Sequence, residues 1–328
     1  MHNRQTQTGK TRVGFYQTHP PTNKPSNVNL LIGGGAKLKL KIMLRAQALL
    51  LPACATVLCA ANFSGAAAFD YAKAAVGFGP RPAGSEPDKK LQAYIAEHSR
   101  VPGAQVTEDS FIAKTPRGDV PMKNIIVKFP GSSGRAIAIT GHFDTKYFPG
   151  RHFVGANDGG SSTGLLIELA HVLAGEKRTD DVYVVFFDGE EAFGEWTGTD
   201  SVYGSRHLAE KWRMDGTLRK LKALINVDMI GDKSLNILQD TNSDPNLRRL
   251  VWKAAADLGY QAYFTNQSEP MDDDHMPFAR LGVPVLDIID FDYPPWHKDD
   301  DTLDKIGPRS LEIAGTVVVE AIHRLERQ

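Results

Sequence analysis

Cysteine is nearly absent from this 328-residue chain, which contains only Cys54 and Cys59. Both lie in the first 68 residues, so the remaining chain has no thiol. Without thiols a protein forms no disulfide, has no cysteine nucleophile and holds no metal through cysteine. Cysteine proteases and cysteine-ligated zinc modules are therefore excluded for the chain beyond residue 68.

Acidic residues are missing from the same N-terminal segment. Residues 1–68 contain eight Lys or Arg and no Asp or Glu, which leaves 30 basic against 39 acidic residues in the rest, a net charge of about −9. Nucleic-acid binding requires clustered positive charge that contacts phosphates. We therefore expect no nucleic-acid partner.

No apolar run reaches the length of a membrane span, which is about 20 residues. A basic stretch over 37–45 precedes a mostly apolar stretch over 46–61, and small residues follow as far as Ala68. This order is typical of a secretory signal peptide. We predict an upstream extension and signal peptide over 1–68, with a start at Met43, and hence a periplasmic or secreted protein without stable membrane insertion. A retained membrane anchor is the alternative.

Residues 69–328 are expected to form one α/β domain, because about 260 residues suffice for a single large core. Strand-like apolar runs occupy 124–129, 136–140, 182–188, 223–229, 234–238 and 283–290. Helical spacing of apolar residues appears between them, at 165–173, 203–212 and 245–259, and most clearly at 311–325. This alternation favours a central mixed, mostly parallel twisted sheet with helices on both faces.

Polar side chains follow several of these strands. The carboxyl ends of strands in an open α/β sheet meet in one crevice. Five potential metal ligands from distant positions would therefore converge there: His142, Asp158, Glu191, Asp228 and His297. Asp, Glu and His together suit a borderline divalent cation, above all zinc with an open coordination position.

Ordinary structural explanations exist for each of these residues. A single His after a strand is commonly a hydrogen-bonded core residue, and Asp158 in an Asn-Asp-Gly-Gly stretch suits a turn or helix cap. The pair Glu190-Glu191 could simply be solvated. However, apolar Phe186-Phe187 leads directly into this pair. Two like charges at the end of a buried strand are costly unless a cation or a proton-transfer role compensates.

Longer motifs carry a specific resemblance. One set comprises His142-x-Asp144, Gly155-Ala156-Asn157-Asp158, Glu190-Glu191 and Gly204-Ser205-Arg206-His207. A second set comprises residues 186–193 followed by Trp196, then 200–206, 273–278, 282–286 and Trp296-His297. The first set resembles the M28 zinc-peptidase superfamily, and the second resembles its animal-type glutaminyl-peptide cyclotransferase branch. The resemblance runs from residue 78 to the last predicted helix and implies a zinc-aminopeptidase-like fold.

The resemblance implies one catalytic zinc held by Asp158, Glu191 and His297, with Glu190 as general base and acid. The implied reaction is an acyl transfer that closes the N-terminal glutamine of a peptide into pyroglutamate and releases ammonia. The zinc would polarise the side-chain carbonyl. Glu190 would take a proton from the attacking α-amine and return it to the leaving nitrogen.

Four further residues match the cyclase pattern. Asp228 and Asp273 match carboxylates that hydrogen-bond the substrate, and Asp273 is expected to pair with Asp228. Trp196 and Trp296 match aromatic walls of the substrate pocket. Simple loop packing for Trp196 and a solvated acidic turn around Asp273 are the ordinary alternatives. The expected partners are peptide or protein N-termini, and we expect a monomer.

An M28-type aminopeptidase is the first alternative function. Residues 157–162 resemble the general peptidase pattern, and His142 with Asp228 could hold a second ion. Asp158 would then bridge two metals, and Glu190 would activate water for hydrolysis. The Trp196 insertion and the motif at 273–275 favour the cyclase.

Two other classes remain open on sequence. Gly160-Ser161-Ser162-Thr163-Gly164 satisfies the Gly-x-Ser-x-Gly pattern of a hydrolase nucleophile elbow, and Asp228 and His297 follow in the hydrolase order. That motif requires a strand running into the serine, and residues 154–158 make a poor strand. A non-catalytic peptide-binding module is the other class, although every matched metal and acid–base position holds a chemically competent residue.

Overall fold

A six-stranded mixed sheet forms the centre of the molecule in a computed structural model that describes residues 63–328. Its strands are β1 (Gln105–Thr115), β2 (Gly118–Phe129), β3 (Ala136–His142), β4 (Asp181–Phe187), β5 (Leu221–Asp228) and β8 (Val285–Ile289). Two short strands, β6 (Ile237–Asp240) and β7 (Phe264–Glu269), form a separate parallel pair. The predicted α/β fold with a mixed sheet is confirmed.

The strand order is β1-β2-β4-β3-β5-β8. β1 and β2 pair antiparallel, as do β2 and β4, whereas the pairs β4–β3, β3–β5 and β5–β8 are parallel. Every residue of β3, β4 and β8 is buried, as expected for parallel strands covered on both faces. Because these strands run in one direction, His142, Phe187, Asp228 and Ile289 end them at the same edge of the sheet.

Helices cover both faces of the sheet. They are α1 (Gly65–Gly77), α2 (Glu86–His98), α3 (Gly160–Leu173), α4 (Tyr203–Asp215), α5 (Pro245–Asp257), the short α6 (Met276–Ala279) and α7 (Pro308–Glu326). Alternate residues of β4 point to opposite sides. Val184 belongs to the buried cluster that includes residues of α1, α2, α3, α5 and α7, whereas Val185 belongs to the cluster that includes residues of α4 and α6. This period-2 alternation is what helices on both faces require.

The first helix begins upstream of the predicted cleavage point. Ser64 caps α1 by accepting a hydrogen bond from the Ala67 amide, and the predicted boundary after Ala68 therefore lies inside the helix. α1 approaches its neighbours closely, since a Cβ on Gly164 would lie 2.2 Å from the carbonyl oxygen of Ala68, and one on Gly315 would lie 2.3 Å from the Phe63 ring. The predicted start at Met43 and most of the predicted leader lie outside the described residues.

Between Phe63 and Gln328, no helix combines the length and apolar character that a membrane crossing requires.

Candidate metal centre and catalytic pocket

A cavity of about 440 Å³ opens where the parallel strands end. Its lining includes Asp158, Glu190, Glu191, Trp196, Asp228, Asp273, Trp296 and His297. All the site residues predicted from the sequence therefore line one cavity, apart from His142. His142 is fully buried behind it and contacts its wall through Asp158 and Asp228.

Asp158, Glu191 and His297 form a first group of potential ligands, with one ligand atom of each within 4.8 Å of the others. His297 Nε2 lies 3.1 Å from Glu191 Oε1 and 3.4 Å from Asp158 Oδ2. Asp158 Oδ2 is buried and accepts no hydrogen bond from any group within residues 63–328. An oxygen left in this state is costly unless a cation compensates it. The two carboxylates and the imidazole of this group fit a zinc ion.

Asp144 orients the carboxylate pair at the end of β4. Its two carboxylate oxygens accept hydrogen bonds from the backbone amides of Glu190, at 3.0 Å, and Glu191, at 3.3 Å. The loop after β8 brings in His297, which has a φ of 54°, a backbone conformation that is uncommon outside glycine. Such backbone strain concentrates at functional sites, where the surrounding structure maintains it.

His142, Asp158 and Asp228 form a second group of the same kind. His142 Nε2 lies 3.3 Å from Asp158 Oδ1 and 3.1 Å from Asp228 Oδ1. Asp158 thus faces His142 with Oδ1 and His297 with Oδ2. Asp228 Oδ1 also accepts from the Met229 amide, whereas Asp273 accepts from Asn226. The sequence predicts that Asp228 pairs with Asp273. In the structure, the side chain that hydrogen-bonds to Asp228 is His142, and the one that hydrogen-bonds to Asp273 is Asn226.

Glu190 is the buried carboxyl whose environment best suits proton transfer. Its Oε2 lies 3.7 Å from His142 Nδ1. Burial raises the pKa of Glu190 well above its usual range against the opposing effect of His142, and the neighbouring Glu191 and Asp273 raise it further. A carboxyl with a raised pKa can both take up and return a proton near neutral pH.

The other carboxyl groups titrate differently because their neighbours differ. Burial and Glu191 raise the pKa of Asp158 to about 7. Burial and Asp228 raise the pKa of Asp273 to about 6. Burial opposes ionisation of Glu191 too, but the imidazole of His297 and the ammonium of Lys146 outweigh it, so the pKa of Glu191 is lowered.

Aromatic side chains form the mouth of the cavity. Trp196 and Trp296 line it while remaining 39% and 40% exposed. The ring of Trp296 stacks on His297 with centroids 4.2 Å apart, and Phe291 lies 4.8 Å from Trp296. Half-exposed aromatic walls of this kind can cover the apolar part of a bound side chain.

Three site residues were not identified from the sequence. Lys146 lies 3.3 Å from Glu191 Oε2, Asn226 donates to Asp273, and Phe291 packs at the cavity mouth. The signal for Lys146 is its place on the loop after β3, only four residues beyond His142. Asn226 has a comparable signal, since it lies two residues before Asp228 on β5 and so points to the same face of the sheet.

The serine motif has a purely structural role here. Ser162 opens α3, and its hydroxyl donates to the carbonyl oxygens of His142 and Gly159. Within residues 63–328, no strand runs into this serine. These contacts contradict the nucleophile-elbow hypothesis.

The chain is similar to peptidases of family M28 and to glutaminyl cyclases. A family model described as Peptidase family M28 matches residues 124–322. The glutaminyl-peptide cyclotransferase of Drosophila melanogaster is 32% identical over 249 residues, which cover 68% of this chain and 70% of that protein. The crystal structure of a glutaminyl cyclase from an Acidobacteriales bacterium is similar, with a TM-score of 0.77, 43% identity and coverage of 81% of this chain and 95% of that one. The glutaminyl cyclase of Porphyromonas gingivalis gives a TM-score of 0.74, 29% identity and coverage of 80% and 99%.

Proposed function

We propose, since the chain belongs to peptidase family M28 and within it to the glutaminyl-peptide cyclotransferases, that it converts N-terminal glutamine of peptides or proteins into pyroglutamate. The similarity to a named cyclotransferase spans 70% of that protein's length. One observation of the site carries the proposal: Glu190, with its raised pKa, lines the same cavity as the potential ligands Asp158, Glu191 and His297.

Asp158, Glu191 and His297 would hold the zinc ion. When bound, zinc supplies a Lewis acid for the side-chain carbonyl of the glutamine. Trp196 and Trp296 line the cavity and remain partly exposed, so their rings would cover the glutamine side chain that enters it. The two rings would exclude water from the reacting groups and favour intramolecular attack.

Glu190 would move the proton that the reaction transfers. A bond forms between the α-nitrogen and the side-chain carbonyl carbon, and the bond from that carbon to the amide nitrogen breaks. The Glu190 carboxylate accepts the proton that the α-amine loses and then donates it to the leaving nitrogen, which departs as ammonia. Positioned acid–base catalysis of this kind contributes about 10²–10⁴-fold in rate.

Asp228 and Asp273 would orient the amide that leaves. Both carboxylates line the cavity, and each is fixed by a hydrogen bond from the protein: His142 donates to Asp228 and Asn226 to Asp273. Carboxylate oxygens held in this way can accept the N–H groups of the substrate.

We propose one zinc ion for the cyclase. His142 lies outside the cavity lining, and both of its ring nitrogens face carboxylates, Nδ1 at 3.5 Å from Asp144 and Nε2 at 3.1 Å from Asp228. These contacts suit a residue that orients the acidic groups rather than one that holds a second ion. The second candidate function, a two-metal aminopeptidase, rests on the group formed by His142, Asp158 and Asp228.

The test is a product assay on a glutamine-initiated peptide. We expect the full-length pyroglutamyl peptide together with ammonia. Free glutamine and a shortened peptide would contradict the proposal and support the aminopeptidase. The same peptide with an acetylated N-terminus is the control, because it lacks the attacking amine and should give no ammonia.

We also propose that the protein is exported and acts on peptide N-termini as a monomer. The basic stretch over 37–45 followed by the apolar stretch over 46–61 supports export.

A further inference from the structure

The segment 154–158 presents Asp158 to both potential ligand groups without any regular secondary structure of its own. We propose that Arg81 and Asp301 are positioning residues that hold this segment from two sides and thereby set the zinc affinity of the site. The inference rests on the proposed function for its metal, but not on which reaction the site performs.

Arg81 holds the carbonyl side of the segment. Its side chain is completely buried, and its guanidinium donates to the carbonyl oxygens of Phe143 at 2.7 Å, Val154 at 2.5 Å and Gly155 at 3.0 Å. One side chain thus fastens the segment to the loop that leaves β3. Only the planar fork of an arginine supplies several donors in fixed directions, which a lysine cannot reproduce.

Asp301 holds the amide side of the same segment. Its carboxylate, also completely buried, accepts from the Asn157 amide at 2.8 Å and the Asp158 amide at 3.1 Å. Its backbone carbonyl accepts from the Ala156 amide at 3.2 Å. Between them, Arg81 and Asp301 therefore bind backbone groups of all five residues from 154 to 158.

Asp301 also couples this segment to the second ligand loop. The Tyr293 hydroxyl donates to Asp301 Oδ1 at 2.7 Å. Tyr293 lies four residues before His297 and Asp301 four residues after it, so this hydrogen bond closes the loop that carries His297. A displacement of Asp301 would therefore move two of the three proposed ligands relative to each other.

Both Arg81 and Asp301 are completely buried, so the hydrogen bonds that satisfy them are costly to lose. A buried charge is tolerated only where hydrogen bonds satisfy it, and here the hydrogen bonds go to the backbone that bears a ligand. Groups that orient metal ligands in this way typically change metal affinity or activity about 10–100-fold when they are removed.

The test compares Tyr293→Phe, Asp301→Asn and Arg81→Lys with the unmodified protein. The readouts are zinc affinity by competition with a chelator, the visible spectrum of the cobalt-substituted protein, and thermal unfolding of the metal-free protein. We expect Asp301→Asn and Arg81→Lys to weaken zinc binding about ten-fold or more and to change the cobalt spectrum. Tyr293→Phe should change both in the same direction but by less.

Two matched controls separate positioning from general stability. Tyr203→Phe removes a buried hydroxyl that donates to Asp200 at 2.7 Å, the same kind of bond as Tyr293 to Asp301. Arg178→Lys changes a buried arginine that pairs with Glu176 and Glu326. We expect these controls to lower thermal stability while leaving zinc affinity and the cobalt spectrum unchanged.

Equal effects of the variants and their controls on zinc affinity and spectrum would overturn the inference. If Arg81→Lys does not fold, Tyr293→Phe against Tyr203→Phe remains decisive, because each removes one oxygen atom. None of these readouts uses a peptide, so a failed cyclisation assay would leave them unaffected.

Discussion

At the scale of single residues, two adjacent glutamates have different roles because they face different groups. Glu191 accepts a hydrogen bond from His297 at 3.1 Å, whereas Glu190 faces His142 and the cavity. We predict that Glu190→Gln retains zinc, because the ligand set is intact, while turnover falls about 100-fold or more. Metal analysis and initial rates on a glutamine-initiated peptide test this prediction.

Glu191→Gln is the matched control, since it makes the same chemical change one residue away. It should lose zinc affinity as well as activity. Near-normal turnover of Glu190→Gln would remove Glu190 from the proton-transfer role.

His142 distinguishes the two candidate functions. In the one-zinc cyclase it orients Asp158 and Asp228 from behind the cavity wall, so we predict that His142→Ala keeps one zinc per chain and retains measurable cyclisation. A reduced rate is expected because two carboxylates lose their hydrogen-bond donor. If metal analysis instead shows a fall from two ions to one, the site is dinuclear.

Asp290 gives the fold a pH dependence outside the ligand groups. Burial raises the pKa of Asp290 from 3.8 to about 7, and nearby Asp232 adds to this. Folding therefore raises the affinity of this carboxyl for a proton, and its contribution to stability is lost as pH rises from about 4 to about 7.

Asp290→Asn should remove that dependence. The amide cannot ionise, so the unfolding temperature of the variant relative to the unmodified protein should rise between pH 5 and pH 8, by about 3 °C or more. Thermal unfolding at both values tests the sign. A difference that stays constant or falls with pH would contradict it.

The sequence motifs predict which residues reach the cavity but not how they pair. Asp158, Glu191 and His297 stand in long, ordered motifs, which made their convergence predictable. The pairing of Asp228 depends on side-chain directions in a crowded crevice, and neither motif nor spacing encodes these directions. Asp301 was missed for another reason, because its acidic surroundings at 299–301 resemble a solvated turn.

At the scale of secondary structure, the buried elements were the predictable ones. β3, β4 and β5 are continuous apolar runs, and α7 has a clear apolar stripe. β1 was not predicted because it is an edge strand with most of its residues exposed, so its alternation is weak. β7 was missed for the same reason, since four of its six residues are exposed.

The helix α1 was missed because its alanine-rich start resembles the end of a signal peptide. The structure gives this segment a packing role: the Ser64 amide donates to Glu168 Oε1 at 3.1 Å, and Phe63 is buried against α7. Losing a helix cap costs about 0.5–2 kcal/mol, and losing a buried Phe about 1.5–3 kcal/mol.

We therefore predict that a chain starting at Phe63 is more stable than one starting at Phe69. The unfolding temperature of the shorter chain should be lower by about 5 °C or more. Phe63→Ala in the longer chain is the control and should account for part of the difference. Equal unfolding temperatures would show that residues 63–68 do not stabilise the fold.

At the scale of the whole molecule, the parallel strands create the site. β3, β4 and β5 all end at one edge, so His142, the Glu190-Glu191 pair and Asp228 meet there although 86 residues separate the outermost two. Asp158 arrives on an irregular segment and faces both ligand groups. The two ligand groups could therefore bind one metal ion or two, and the number of bound ions distinguishes the cyclase from the aminopeptidase.

Zinc titration of the metal-free protein distinguishes the one-zinc cyclase from the two-metal aminopeptidase. Pyroglutamate and free glutamine are measured at each addition of zinc to a fixed amount of protein with a glutamine-initiated peptide. The one-zinc cyclase predicts that pyroglutamate formation rises linearly and reaches its plateau at one zinc per chain, with no free glutamine. A plateau at two zinc ions per chain with release of free glutamine would show a two-metal aminopeptidase instead of a one-zinc cyclase.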